Sequence, residues 1–173
     1  MAYHDEEWGV PVHDDKKLFE FLVLESFQAG LSWYTILKKR ENFRIAFAQF
    51  EVNKVAQFNE EQVVQLMQNA GIIRNKLKIV AAINNSQRFI EIQKEFGSFA
   101  KYVWRFVGGE TIVNGRKTLK DIPATSLESD AMSKDMNKRG FKFIGATTCY
   151  AFMQAVGLVN DHLDDCWKKQ AAS

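Results

Sequence analysis

The sequence predicts an all-α domain, and three observations carry that prediction. There are only two prolines, against abundant Ala, Leu, Lys, Gln and Glu, the residues that lose least on entering a helix. Apolar residues recur at three- and four-residue spacing along nearly the whole chain, so they share one face of a 3.6-residue helix instead of alternating as in a strand. Capping residues and glycine stops punctuate these stretches.

Taken in order, residues 1–14 are irregular, with Trp8, Gly9 and Pro11 discouraging regular structure. Asp14 and Asp15 offer a cap for a helix over about 15–29, ended by Gly30, and Ser32 caps the next over about 32–48. A short turn starts at Asn53. Asn59 with Gln62 three residues later resembles a capping box and opens a helix to about Asn69, which Gly71 breaks. A long helix follows from about Asn75 to Glu95. Ser98 caps another that holds Tyr102, Trp104 and Phe106. Residues 108–128 form the one long irregular segment. Ser129 caps a helix to Arg139, Gly140 ends it, and a last helix spans about 146–156. No internal repeat, low-complexity tract or linker divides the 173 residues, which suffice for one domain, 1–173, with its own core.

Composition excludes several classes. A hydrophobic content of 46%, with 14 Phe, is incompatible with a disordered chain. No apolar run reaches the roughly 20 residues of a membrane span and no signal peptide opens the chain, so a cytoplasmic monomer without a membrane partner is expected. Cys149 and Cys166 give no disulfide framework, which fits a reducing compartment. A net charge of +2 does not by itself announce nucleic acid, so local clusters must carry that argument.

Three places could hold chemistry. In LESFQAGLSW, residues 24–33, Glu25 shares a face with Leu18, Phe21 and Leu22, where a charge is costly unless it has a partner. Either Glu25 turns aside to solvent or an ion pair, or it faces a pocket for something flat and polar-edged, beside the ring of Trp33. Next, the turn at 140–145 joins two helices, and the N–H groups opening the second make a ready anion site. Lys138, Arg139 and Lys142 gather near it, with Thr147 and Thr148 supplying hydroxyls. The plain alternative is an ordinary helix connection. Lys38, Lys39, Arg40, Arg74, Lys76 and Lys78 read as solvated helix faces. Finally, His162 and Cys166 stand at i and i+4, and His4 lies near a terminus that commonly approaches the other. On spacing alone a structural role for these residues is the simpler reading.

YHDEEWG at 3–9, LESFQAGLSW at 24–33, LKKREN at 37–42, AGIIRNK at 70–76 and KRGFKFIGATTCYAFMQAVGLVNDH at 138–162 closely resemble the 3-methyladenine DNA glycosylase I family. The resemblance covers essentially the whole chain. More widely it is to the helix-hairpin-helix DNA glycosylases, with a helix-hairpin-helix unit at about 129–157. The first hairpin glycine usual there is Phe143 in this chain, and the second is kept as Gly145. The resemblance implies a monofunctional glycosylase that flips 3-methyladenine out of double-stranded DNA and hydrolyses its glycosidic bond. A catalytically impaired DNA-binding module, or a glycosylase for another alkylated purine, are the alternatives. It further implies that Glu25 is the pocket carboxylate, that Trp33 stacks on the base, and that Tyr3 is a pocket tyrosine. Leu31 would be the wedge filling the duplex gap, with Lys142, Gly145 and Thr147 on the DNA backbone. His4, His162 and Cys166 match three ligands of a structural zinc. The family carries about a dozen further residues before Tyr3, among them a fourth, cysteine ligand. Asp161 lies near the place of the catalytic aspartate of related glycosylases, but a supporting role beside His162 is better founded.

Overall fold

The computed structural model describes residues 9–28, 31–114 and 123–161. Helices begin where a side chain satisfies the first free backbone N–H groups. Asp14 Oδ2 accepts from Lys17 N at 3.2 Å and opens α1 (Asp15–Gln28). Ser32 accepts from Thr35 N and opens α2 (Trp33–Lys38). The single helix expected over 32–48 is interrupted at Lys39, where ψ is 2°, and resumes as α3 (Arg40–Ala46). That bend brings Phe43 and Phe47 against Phe27 of α1, at centroid distances of 5.0 and 6.0 Å. Packing of large rings here overrides local propensity.

Between α3 and α4 (Val52–Val55), Ala48, Gln49 and Phe50 all take left-handed conformations, with φ of 55°, 57° and 58°. Each costs about 1–2 kcal/mol for a residue with a Cβ. Phe50 stays there because its ring is buried, stacked on Phe47 and edge-on to Phe19. Asn59 and Gln62 form the reciprocal capping box of α5 (Glu60–Met67). Asn75 caps α6 (Lys76–Phe96), which ends at the left-handed Gly97. Ser98 caps α7 (Phe99–Trp104). The cap of α8 (Leu127–Lys138) is Ser126, not Ser129. Ser129 instead sits at the third helical position and answers with its own hydroxyl, completing a capping box. α9 (Ala146–Ala155) follows the 140–145 turn.

The chain is mostly helical, as expected, with one addition. Residues of the predicted irregular segment form β1 (Ile112–Val113), paired in parallel with β2 (Val159–Asn160). Two-residue strands leave no periodicity to read.

α1 is the central helix. Leu18, Phe19, Phe21, Leu22, Val23, Leu24 and Phe27 are all buried, so it is enclosed all round instead of showing one apolar stripe. α2, α6, α7 and α9 pack on it. Its buried Glu20 is bonded by Arg40 Nε at 2.6 Å and approached by Arg44 at 3.1 Å. Asp15 faces away from its own helix and caps α7. Its carboxylate accepts from Phe99 N, Ala100 N and Gln93 Nε2, each at 2.9 Å.

The N-terminal segment lies across the end of α9. Gly9 N donates to Gln154 O at 3.1 Å, Val12 N to Val156 O at 2.9 Å, and Trp104 Nε1 to Val12 O at 2.9 Å. Gly157 is required there twice over. Its φ is +77°, and a Cβ would stand 2.4 Å from Pro11 N.

Asp15→Ala removes three bonds to a charged acceptor that joins the first helix to the seventh. It should cost about 2–4 kcal/mol of stability, read by urea unfolding with an unchanged m-value. A loss below about 0.5 kcal/mol would mean that Ser98 caps α7 unaided.

Candidate nucleic-acid interface

Glu25 lies in the penultimate turn of α1 and is 5% exposed. Helical spacing places it inward with Leu18, Phe21 and Leu22, and the fold closes around that face. It makes no hydrogen bond or ion pair with any described residue, so neither the solvated nor the paired reading holds among them. Burial alone raises its pKa from 4.5 to about 8. The result is an acceptor already stripped of water, neutral while the site is empty and ionisable when a cation enters. Trp33 opens α2, which packs on α1, and its ring is half-buried against the core cluster.

Ala29 and Gly30, between them in the chain, lie outside the described residues. Leu31 emerges 36% exposed. The turn is closed twice: Leu31 N donates to Gln28 O at 2.8 Å, and Gln28 Nε2 donates to Leu31 O at 2.7 Å. A third hold was missed from sequence. Lys78 is not a solvated lysine but a buried one, and its Nζ donates to Phe27 O at 3.1 Å, on the last turn of α1. Burial lowers its pKa, and a cation at a helix C-terminus is well placed electrostatically. The available signal was spacing, since Lys78 shares a face with the buried Ala81, Ala82 and Asn85.

The second turn, 140–145, buries Phe141 and Ile144 and exposes Lys142 and Phe143. Gly140 leaves α8 with φ +96°. Gly145 has extended backbone at the start of α9 and offers no side-chain cap, so the first N–H groups of α9 stay available. Nothing lies within 4 Å of where its Cβ would be. Thr147, the second residue of α9, is exposed. Lys142 makes no ion pair with any described residue. Arg139 is committed elsewhere: it donates to Asp135 at 2.8 Å and Glu95 at 3.1 Å, with its guanidinium over Phe96 and Tyr102. Arg40 is likewise held by Glu20. Of the basic groups expected around the turn, Lys138 and Lys142 remain exposed.

Side-chain amides and a hydroxyl hold this turn, and sequence reasoning missed them too. Asn85 accepts from Lys142 N at 2.8 Å and donates to Lys142 O at 2.9 Å, as a strand neighbour would. Asn84 donates to Gly140 O at 2.8 Å, and Ser133 and Asn137 each donate to Ile144 O at 2.9 Å.

Asp161 is buried as a structural acceptor. Tyr150 and Gln154 donate to one of its oxygens and Asn114 to the other. That supports leaving it out of the catalytic set. Tyr3, His4, His162 and Cys166 lie outside the described residues. Among the described residues no group of three His, Cys, Asp or Glu is placed to hold a metal, and no helix is long and apolar enough to cross a membrane.

A desolvated acid on one helix, an aromatic ring opening the next, and an uncapped helix end beside a free lysine define a helical protein. It is equipped to grip a polar ring and an anionic backbone at once. Residues 1–169 match the family model described as methyladenine glycosylase. DNA-3-methyladenine glycosylase 1 of Escherichia coli (strain K12) is 53% identical over 166 residues, covering 96% of this chain and 89% of that protein. DNA-3-methyladenine glycosylase of Haemophilus influenzae is 48% identical over 166 residues, covering 96% and 90%. Among solved structures, 3-methyladenine DNA glycosylase I from Staphylococcus aureus, studied for its recognition of 3-methyladenine, superposes with a TM-score of 0.94. It is 40% identical, covering 97% of this chain and 89% of that one. The chain belongs to the methyladenine glycosylase family.

The raised pKa has a stability consequence with a definite sign. Above pH 4.5 the unfolded chain ionises Glu25, while the folded protein keeps it protonated until about pH 8. Folded stability therefore falls as pH rises through that window. Glu25→Gln should remove the dependence, leaving the variant more stable than wild type by on the order of 2–3 kcal/mol at pH 7 and equal to it near pH 4. Denaturant melts at the two pH values decide it, and a variant less stable at pH 7 would show that Glu25 has a partner.

Proposed function

We propose that the protein excises 3-methyladenine from alkylated double-stranded DNA, acting as a monomer in the cytoplasm and leaving an abasic site. The observation that carries this reading is near-full-length similarity to enzymes of that name, together with a buried Glu25 that has no partner among the described residues.

A base bonded to deoxyribose is hidden in the duplex and must be extruded before chemistry. Adenine methylated at N3 is cationic on the sugar and already a good leaving group, so the protein selects and holds it more than it protonates it. The cation enters beside Glu25, whose proton is displaced because the ionised form is now paired. Trp33 stacks on the cationic ring, and Tyr3 completes the pocket. Leu31, on its doubly closed turn, fills the space the base vacates. Lys142, with the open N–H groups after Gly145 and the Thr147 hydroxyl, holds phosphates of the helix-hairpin-helix type without reading sequence. Cleavage passes through an oxocarbenium-like sugar that water attacks. The glycosidic electron pair leaves with the ring, which departs as the neutral base, and the attacking water gives its proton to solvent. Within this scheme Glu25 is the catalytic residue because it touches the base and favours the cationic ring over a neutral one.

Release of 3-methyladenine from methylated duplex DNA is the test. Wild type should release it, and Glu25→Gln should lose one to two decades in kcat/KM, about 1.5–3 kcal/mol. The wild-type kcat/KM should also rise toward pH 8 as Glu25 ionises in the free enzyme, a limb absent from the variant. Equal release by a folded Glu25→Gln protein would falsify the pocket assignment.

The same reading includes a structural zinc held by His4, His162 and Cys166. Two imidazoles and a thiolate suit zinc better than magnesium or calcium. The described neighbours of these residues fit such a tether. Gly9 and Val12 are bonded to the end of α9, and Asp161, next to His162, is anchored to Tyr150 and Gln154 of the same helix. Bound there, the ion would supply a cross-link between the chain's ends and hold Tyr3 in register with the pocket. Metal analysis should find up to about one zinc in wild type and markedly less in His162→Ala, with both proteins folded because the core does not depend on the ion. Equal zinc in the two would remove these ligands from the site.

A further inference from the structure

Phe143 breaks a local rule without any return in packing. Its φ is +59°, in the left-handed region where a Cβ is strained and glycine or asparagine sits freely. Phe50, the other left-handed phenylalanine, is held by burial. Phe143 is not: its side chain is 46% exposed, it stands outside the core cluster, and it stacks on no ring among the described residues. Its neighbours Phe141 and Ile144 carry the turn's apolar burial.

The backbone conformation is nevertheless imposed from both sides. Asn85 bonds both backbone groups of Lys142, and Ser133 and Asn137 bond Ile144 O. Asn85 and Ser133 are buried and Asn137 is exposed, and the turn cannot relax around Phe143 without breaking several of these bonds. Strain held this firmly, under a side chain turned outward, points to something outside the protein. Immediately before Phe143 in the chain is the exposed Lys142, and two residues after it Gly145, with open space about its Cα, leads into the first N–H groups of α9. Charge and N–H donors suit phosphate oxygens. An apolar ring between them suits what lies between phosphates, the hydrocarbon face of deoxyribose.

We propose that Phe143 is a DNA-binding residue whose ring packs on a deoxyribose between two phosphates held by Lys142 and the start of α9. This rests on the reading that the 140–145 turn carries the DNA backbone, and it adds an apolar, salt-independent contact to that electrostatic one. Because every nucleotide has a sugar, the contact is blind to sequence and to damage.

The test is binding of an undamaged duplex and of an abasic-site duplex over a range of salt, by fluorescence anisotropy. Phe143→Asn tolerates the left-handed backbone but removes the ring. It should weaken both duplexes about three- to tenfold with an unchanged salt slope, whereas Phe143→Leu should bind within about twofold of wild type. Lys142→Ala is the control and should lower the slope by about one. If Phe143→Asn binds like wild type while Lys142→Ala weakens, the ring touches no DNA and the proposal fails, with the backbone reading intact. If neither variant changes affinity, the turn does not meet DNA and both fail. A melting temperature for Phe143→Asn more than about 5 °C below wild type would show that the ring serves the fold, and would also overturn the proposal.

Discussion

One face of α6 holds both the end of α1 before Leu31 and the 140–145 turn. Lys78 reaches the last turn of α1, before the Leu31 turn, and Asn85 grips the backbone of Lys142. The two residues are i and i+7, two helical turns or about 10 Å apart along the axis. A helix of 21 residues, capped at Asn75 and stopped at Gly97, is stiff over that distance. Because both grips are buried, neither turn can shift without exposing an unpaired polar group. The spacing between the two turns is thereby set by the helix itself.

The same interior that provides rigidity makes the chemistry affordable in electrostatic terms. α1 is enclosed by four other helices, so Glu25 has lost its water before any ligand arrives. A carboxyl in that position favours its neutral form below about pH 8, and an entering cation would shift it toward ionisation. Under the proposed function, selectivity for a cationic base over neutral adenine would follow from this difference, since a neutral base offers the ionised form no opposite charge. The cost falls on folding, where a buried acid weakens the protein as pH rises.

How much of this could be read beforehand varied by residue. Helices with caps of ordinary chemistry were legible: Asn59 with Gln62, Ser98, and Ser32 all do what their sequence context requires. Glu25 was suspect because of its place in an apolar period. Lys78, Asn84 and Asn85 were not picked out, since a lysine or asparagine in a polar helix looks solvated until the other helices are in place. The left-handed run at 48–50 had no local signal either, because it is held by rings from α1 and α3 and opposed by its own residues.

The sequence by itself determined the helical character of the chain, most helix ends, and the identity of the groups that could meet a base or a phosphate. These depend on contacts within a few residues, which spacing records. Only the tertiary structure decided that Glu25 is dry, that Arg139 and Arg40 are occupied by Asp135, Glu95 and Glu20, and that Lys142 is left free. It also decided the strain at Phe143, through the amides of Asn84 and Asn85, which bond residues 56 and 57 positions away, and through the nearer Ser133 hydroxyl and Asn137 amide. Burial and pairing are properties of what surrounds a side chain, and for these residues the surroundings come from distant parts of the chain.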